Sequence, residues 1–273
     1  MPSYLITGAS RGIGWEFLRQ LSSDTNNLVV GLVRNKTATK EKVKQELSER
    51  TNIHIIEADI TDYAALKVAA AAETASITGG GLDYLIANAG LVSHWDIYEP
   101  IGTLGQQQPE ALEEELNKLF KINVVSQIHL FNLFLPLILK GDTKKIIAIS
   151  SGYADLETVT KWDIEIASLY AISKAGLNTA VAKFSTQYAK DGVLFMSICP
   201  GMVDTGHFVD ATEEQMQGLG GLLGSLAQFA PGFAGPSPPE PAVKAVISVM
   251  ENASVEKGDG GSFLSHFGNK QWL

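Results

Sequence analysis

The chain has 273 residues, 45% of them hydrophobic and 19% charged, enough apolar material for a packed core and too much for intrinsic disorder. Its formal net charge of −9, with no Lys/Arg-rich stripe to offset it, repels phosphate backbones and argues against nucleic acid as a partner. Cys199 is the single cysteine, which excludes an internal disulfide and suits a reducing compartment; with no visible secretory leader and no apolar run of about 18 residues, a cytoplasmic protein without a membrane span is expected.

Strand and helix patterns alternate from the start of the chain. Residues 4–7 form a short apolar strand, followed by a glycine-punctuated turn and a helical stretch over 15–21. Residues 28–33 are a second strand, 38–50 a charged helical stretch, and 53–57 a third strand. An Ala-rich helical stretch covers 62–77, and a fourth strand 82–87. Residues 110–140 have apolar residues at helical spacing, with Pro136 near the end. A fifth strand follows over 145–150, a long helix over 166–190, and a sixth strand over 193–199. A helix over 240–252 and a short strand over 262–264 complete the series. Short apolar strands alternating with helices imply a parallel sheet covered on both faces. Right-handed crossovers then give an α/β, Rossmann-like doubly wound sheet of about seven strands in a single domain over 1–273. Residues 206–239, rich in Gly, Leu and Pro, read as an excursion from that domain. Their apolar character fits a lid over a hydrophobic or aromatic substrate, and it fits a subunit contact equally well.

The first turn reads Thr7-Gly8-Ala9-Ser10-Arg11-Gly12-Ile13-Gly14. Glycines permit close approach of the backbone to a diphosphate, and the helix that follows offers unpaired N–H groups and a positive dipole end. Dinucleotide sites that select NAD place an acidic residue about 20 positions beyond the glycines. Here the second strand ends in Val33 and is followed by Arg34. With Arg11 in the turn, two guanidinium groups stand where a 2′-phosphate can be paired, and no carboxylate repels it. NADP(H) is the expected cofactor.

Tyr170-Ala-Ile-Ser-Lys174 sits near the start of the long helix over 166–190. Residues four apart share a helical face, so phenol and ammonium point the same way. A phenol alone has a pKa near 10, and a neighbouring ammonium stabilises the phenolate. The five histidines show no metal spacing, so no metal site is expected; His94 and His207 are candidates to line the pocket. Cys199, just before Pro200, reads as a small buried residue and not as a nucleophile.

The glycine spacing, the Tyr170/Lys174 pair and four further segments in order resemble the short-chain dehydrogenase/reductase family, from residue 4 to about 205. The resemblance implies hydride transfer between a nicotinamide and a carbonyl or alcohol substrate. It gives Ser151, the second serine closing the fifth strand, the role of holding the substrate oxygen. Tyr170 exchanges the proton, Lys174 assists it and holds the ribose, and Asn123 orders a water chain to the lysine. Asp59-Ile60 corresponds to the segment that contacts adenine, although Asp59 reads equally as a turn residue, with Thr61 or Asp62 capping the next helix. Asn88, Ala89 and Gly90 match the family's N-N-A-G motif, with Ala87 in place of its first Asn. Pro200, Gly201, Val203 and Thr205 match a segment that meets the nicotinamide end, and Lys121 is placed near the cofactor. The stretch over 152–165 reads either as a border of the substrate or as a surface insertion. A homo-oligomer, dimer or tetramer, is compatible with the family. A non-redox cyclase or dehydratase, or a nucleotide-sensing protein, are the alternatives on this fold; an intact Ser151, Tyr170 and Lys174 set argues against both.

Overall fold

Consecutive side chains of a strand point to opposite faces of a sheet, and in most strands of this chain both sets are predominantly apolar. The computed structural model describes residues 1–206, 212–213, 224, 230, 233 and 235–273. The strands are β1 (Ser3–Thr7), β2 (Leu28–Val33), β3 (Ile53–Glu57), β4 (Tyr84–Ala87), β5 (Lys145–Ile149), β6 (Leu194–Cys199) and β7 (Phe263–Ser265). They form one seven-stranded sheet in the order β3-β2-β1-β4-β5-β6-β7, and every pairing is parallel. This is the doubly wound fold expected from the alternating pattern, and the chain reverses direction across the sheet between β1 and β4.

The alternation sorts the core into two layers. Leu5, Val30, Ile56, Leu85, Ile146 and Phe195 face one side, with Leu130, Phe131, Phe134, Leu177 and Val181 packed on them. Ile6, Val29, Ile55, Ile86, Ile147 and Met196 face the other, beneath Phe17, Leu18, Val243, Val246 and Met250. The second layer is covered by α1 (Gly12–Leu21) and, after α2 (Lys36–Glu46), by a helix near the end of the described chain (Pro239–Asn252).

The first layer is covered by helices that carry wide turns. α3 (Tyr63–Val68) passes through such a turn, Ala69–Thr74, into α4 (Ala75–Thr78). α5 (Ile101–Gln107), which periodicity did not reveal, precedes α6 (Pro109–Phe120); this runs through a second wide turn, Lys121–Val125, into α7 (Ser126–Ile138). The continuous stretch Pro109–Ile138 is 30 residues long and apolar enough, by length and composition, to cross a membrane. Leu130, Phe131, Phe134, Leu135 and Ile138 of this stretch are packed into the first core layer, and 56% of its most apolar window is buried, as in a core helix.

After β5 come a short turn over Gly152–Ala154, α8 (Leu156–Lys161) and α9 (Ser168–Tyr188), and the Pro239–Asn252 helix is α10. Several boundaries differ by a few residues from the sequence expectation, and two of these differences have a visible cause. β4 starts at Tyr84 because Asp83, just before it, takes N–H groups from Ser3, Asp142 and Thr143 on its carboxylate. α9 starts at Ser168, not Ile166, because Ala167 has a left-handed φ of 55°. Most of the 206–239 segment, and His207, lie outside the described residues.

Candidate active site

A parallel sheet leaves its ligand crevice at the carboxyl ends of the strands, where the strand order reverses. A cleft of about 1150 Å³ lies there. Its floor begins with the glycine turn. Gly8 and Gly12 adopt φ of +70° and +55°, and a Cβ on Gly14 would stand 2.2 Å from the Gly8 carbonyl oxygen. The turn and the first turn of α1 therefore touch backbone to backbone. Arg11 precedes the helix in an extended conformation and makes no side-chain cap, so the first N–H groups of α1 are left for a ligand. This cradle fits the diphosphate of a dinucleotide.

The turn is held by its neighbours. Thr7 Oγ1 accepts the N–H groups of Asn88 and Ala89, and Asn88 Nδ2 donates to the Thr7 carbonyl at 2.9 Å. Asn88 thus ties β4 to β1 although Ala87 stands where the family pattern has another Asn. Gln127, on α7, donates to the Ala89 carbonyl at 2.9 Å and fixes the same loop from behind.

At the β2 end of the cleft, Arg34 and Arg11 are exposed and border the space together with Ile60 and Asp59. Neither guanidinium takes part in a salt bridge among the described residues. Asp59 Oδ1 accepts both the N–H and the hydroxyl of Thr61 at 2.8 Å, and these bonds hold its carboxyl below the usual range, with Arg34 adding to the effect. Asp62, not Asp59, caps the next helix through Ala65 N–H. Lys42, which the sequence reading passed over, also borders this end, with its ammonium 4.0 Å from the centroid of the Trp15 ring.

At the β5–β6 end, Ser151, Tyr170 and Lys174 converge. Ser151 stands close enough to the Tyr170 phenol for its side chain to pull the phenol's pKa down. The Lys174 ammonium lies 5.7 Å from the centroid of the Tyr170 ring, and it donates to the Ile149 carbonyl at 2.8 Å. Lys174 is 6% exposed. Burial lowers its pKa to about 8, the neutral form being cheaper to hold away from water. The same burial pushes the Tyr170 phenol up, against the pull of the Ser151 side chain. The downward shift expected from the neighbouring ammonium is not seen: burial dominates, and Ser151, not Lys174, is the group that pulls the phenol down.

Cys199 closes this end from β6. Its Sγ accepts the N–H groups of Gly152 at 3.1 Å and Gly201 at 3.4 Å, and burial pushes its thiol up to about 11. Such a thiol is a packing group, inert as a nucleophile at neutral pH. Pro200, Gly201, Val203 and Thr205 continue along the rim.

The structure also separates residues that the motifs grouped together. Asn123 does not line the cleft. It is fully buried behind Gly90, with Oδ1 accepting Leu91 N–H at 2.8 Å and Nδ2 donating to the Leu91 carbonyl and to Ser173 Oγ. A Cβ on Gly90 would fall 3.1 Å from Asn123 Oδ1 and 3.4 Å from Lys174 Nζ, so Asn123 and Lys174 are second neighbours through that glycine. Lys121 is exposed and is not part of the cleft wall. It stands two residues before Asn123 in the wide turn, and helical positions two apart face opposite ways; with Asn123 turned inward, Lys121 is turned out.

Besides Lys42, three further groups carry no motif in the sequence. Ser150 Oγ is buried beside the cleft with no hydrogen-bond partner among the described residues. Trp272 and Leu273 border the cleft from a segment that carries no motif. Asp96 is fully buried and accepts the N–H groups of Leu169 at 2.8 Å and Tyr170 at 3.3 Å on one carboxylate oxygen. It caps α9 from a loop 73 residues earlier, because Ala167 and Ser168 supply no cap of their own. Asp96 therefore fixes the backbone on which Tyr170 stands. Residues 152–165 prove to be a border of the cleft, through Gly152, Tyr153, Thr158 and Ile164.

The buried ammonium gives a direct test of this geometry. Between about pH 8 and the ordinary lysine value of 10.5, the unfolded chain keeps a proton at Lys174 that the folded chain has lost. Stability contributed by this group therefore rises with pH in that window, and below it the desolvation cost is carried in full. Urea unfolding at pH 7 and pH 10 should show wild type gaining on Lys174→Met by on the order of 2–3 kcal/mol. An unchanged gap would mean that Lys174 titrates like an exposed lysine.

Comparison with known proteins agrees with this architecture. The family described as short chain dehydrogenase matches residues 3–216. A short chain dehydrogenase of Hypocrea virens is 60% identical over 273 residues, covering the whole of both chains. A benzil reductase ((S)-benzoin forming) of Saccharomyces cerevisiae is 30% identical over 203 residues, 74% of this chain and 71% of that one. Among solved structures, the NADPH-bound carbonyl reductase from chicken fatty liver superposes with a TM-score of 0.77 at 25% identity, covering 98% of each chain. With the parallel sheet, the glycine cradle and the serine, tyrosine and lysine set in one cleft, these matches establish that the chain belongs to the short-chain dehydrogenase/reductase family of oxidoreductases.

Proposed function

We propose that this protein is an NADPH-dependent reductase of ketones or aldehydes, acting on an apolar or aromatic carbonyl compound. The observation that carries the reading is the meeting of Ser151, Tyr170 and Lys174 at one end of a cleft whose other end is a phosphate cradle. A bound nicotinamide supplies the hydride to the carbonyl carbon. The Ser151 hydroxyl holds the carbonyl oxygen, and the Tyr170 hydroxyl delivers the proton that this oxygen needs as it becomes an alcohol. A phenol pushed up by burial is fully protonated at neutral pH, which suits it to donate in the reductive direction. The phenolate left behind is stabilised by the Lys174 ammonium and by the Ser151 side chain.

The substrate class is inferred from the walls at this end. Tyr153, Ile164 and Met202 border the cleft here, in one cluster with Ile166, Tyr98, Trp162 and Phe233, and this part of the wall offers mainly apolar contact. The benzil and carbonyl reductase activities named for two related proteins point the same way. The cofactor preference is inferred from Arg34, Arg11 and Lys42 at the adenosine end, with Val33 in place of an acid.

Activity is tested by following NADPH oxidation with a panel of aromatic and aliphatic ketones; oxidation with none of them would overturn the reductase reading. Arg34→Ala is expected to raise the KM for NADPH about 10- to 100-fold, the equivalent of one charge-assisted hydrogen bond, and to leave the KM for NADH unchanged. Equal use of the two cofactors by the wild type would overturn the preference.

A further inference from the structure

After β7 the chain folds back onto the substrate end of the cleft. Ser265 N–H donates to the Asn269 carbonyl at 2.7 Å, and Gln271 N–H to Asn269 Oδ1 at 2.8 Å. This tight turn delivers Trp272 and Leu273 to the cleft wall. Trp272 is 3% exposed. Its indole N–H is shared between Asp155 Oδ2 and Thr158 Oγ1, both at 2.9 Å, and its ring stacks on Phe263 with centroids 4.4 Å apart. A Cβ on Gly152, the residue after Ser151, would stand 2.8 Å from Trp272 Cβ and Cγ. Position 152 is therefore kept bare so that the tryptophan can pack directly behind the serine. Leu273, one residue further, packs with the Ile164 and Ile166 cluster and faces the cleft.

We propose that Trp272 and Leu273 form a fixed wall of the substrate compartment, in which Trp272 is the anchor and Leu273 is the specificity-determining side chain that limits the bulk of the carbonyl compound. This rests on the reading of the cleft as a site for apolar carbonyl substrates. The anchor explains the arrangement of the neighbouring segment. Asp155 begins α8 and Thr158 lies in its first turn, so the indole bonds lock the 152–165 border and the 272–273 segment into one unit. Leu273 is held at a set position by a rigid neighbour instead of riding on an exposed loop, and a rigid wall discriminates by size better than one that yields.

The test uses the full chain and two probes, acetophenone as the smaller aryl ketone and benzil as the larger. Leu273→Ala should shift the ratio of kcat/KM values, benzil over acetophenone, about tenfold toward benzil, and Leu273→Phe should shift it about as far the other way. Dissociation constants of both ketones are measured in parallel on protein loaded with NADP+, which cannot reduce them. The affinity ratio should move in the same direction, and it reports the wall independently of turnover. A wild type that binds the ketones without oxidising NADPH fails the reductase reading and leaves the wall to be judged on affinities. Ratios unchanged in both variants, or no binding of either ketone to the wild type, overturn the proposal.

Discussion

Tyr170→Phe is expected to reduce kcat for carbonyl reduction by about 10²–10⁴-fold, the usual contribution of a positioned proton donor. The substitution removes one oxygen. The ring stays, and so does its contact with the Lys174 ammonium 5.7 Å away. The Lys174 bond to the Ile149 carbonyl does not involve the phenol, and Ser151 keeps its bond from Tyr153 N–H. Folding stability and NADPH affinity should therefore stay within a few-fold of wild type, and the loss should fall on kcat. Steady-state kinetics with NADPH and an aromatic ketone, alongside NADPH binding by fluorescence, separates the two quantities. A variant that keeps more than about a fifth of wild-type kcat would remove Tyr170 from the chemistry, since an effect that small lies far below the range for general acid catalysis.

Gly14→Ala should damage the opposite end of the cleft. The added methyl would stand 2.2 Å from the Gly8 carbonyl oxygen, 2.8 Å from its carbon and 2.6 Å from Asn88 Nδ2. Two of these neighbours are backbone and cannot rotate away. The turn must lift off the helix, and Asn88 must give up its bond to the Thr7 carbonyl. Overpacking of this kind costs about 1–3 kcal/mol, which in a chain of this size lowers Tm by roughly 2–12 °C. The larger effect is on cofactor binding, because the lifted turn carries the N–H groups that face the phosphates. NADPH affinity is expected to fall at least about 100-fold, the equivalent of two lost charge-assisted hydrogen bonds. Near-normal affinity in a folded Gly14→Ala protein, measured by calorimetry, would show that the diphosphate does not sit in this turn.

The parts of the site that were legible in the sequence are those fixed by short spacing. The glycine turn spans seven residues of one strand-to-helix junction, and Tyr170 and Lys174 are one helical turn apart, so local geometry alone brings each group together. Most of the strands were legible because both of their faces are buried and they read as nearly unbroken apolar runs; β3 and β7, at the sheet edges, are only partly buried. What stayed hidden depends on contacts across the fold. Asp96 caps α9 from 73 residues away, and Trp272 reaches Asp155 across 117; no local pattern announces either. The start of α9 was misjudged for the same reason, since its cap comes from another segment while the apolar pattern runs through Ala167. The resemblance places Lys121 near the cofactor, while the wide turn at 121–125 sends it and Asn123 opposite ways and leaves Lys121 exposed. The separation of Asn123 from the cleft by Gly90 also needed three dimensions, because only there does a missing side chain become a contact.

The position of Cys199 gives the protein a built-in clock. Its sulfur is the only thiol in the chain, it is 3% exposed, and it is bonded by the N–H groups of Gly152 and Gly201 on either side. Cys199 borders the cleft, so a thiol reagent entering there reaches the sulfur when the segments of Gly152 and Gly201 at the ends of β5 and β6 move aside. Its rate of modification in native buffer therefore measures the frequency of that opening, with no engineered label. Anything that holds the strand ends together slows the clock, and a ligand lying across Ser151 and Pro200 should slow it in proportion to its occupancy.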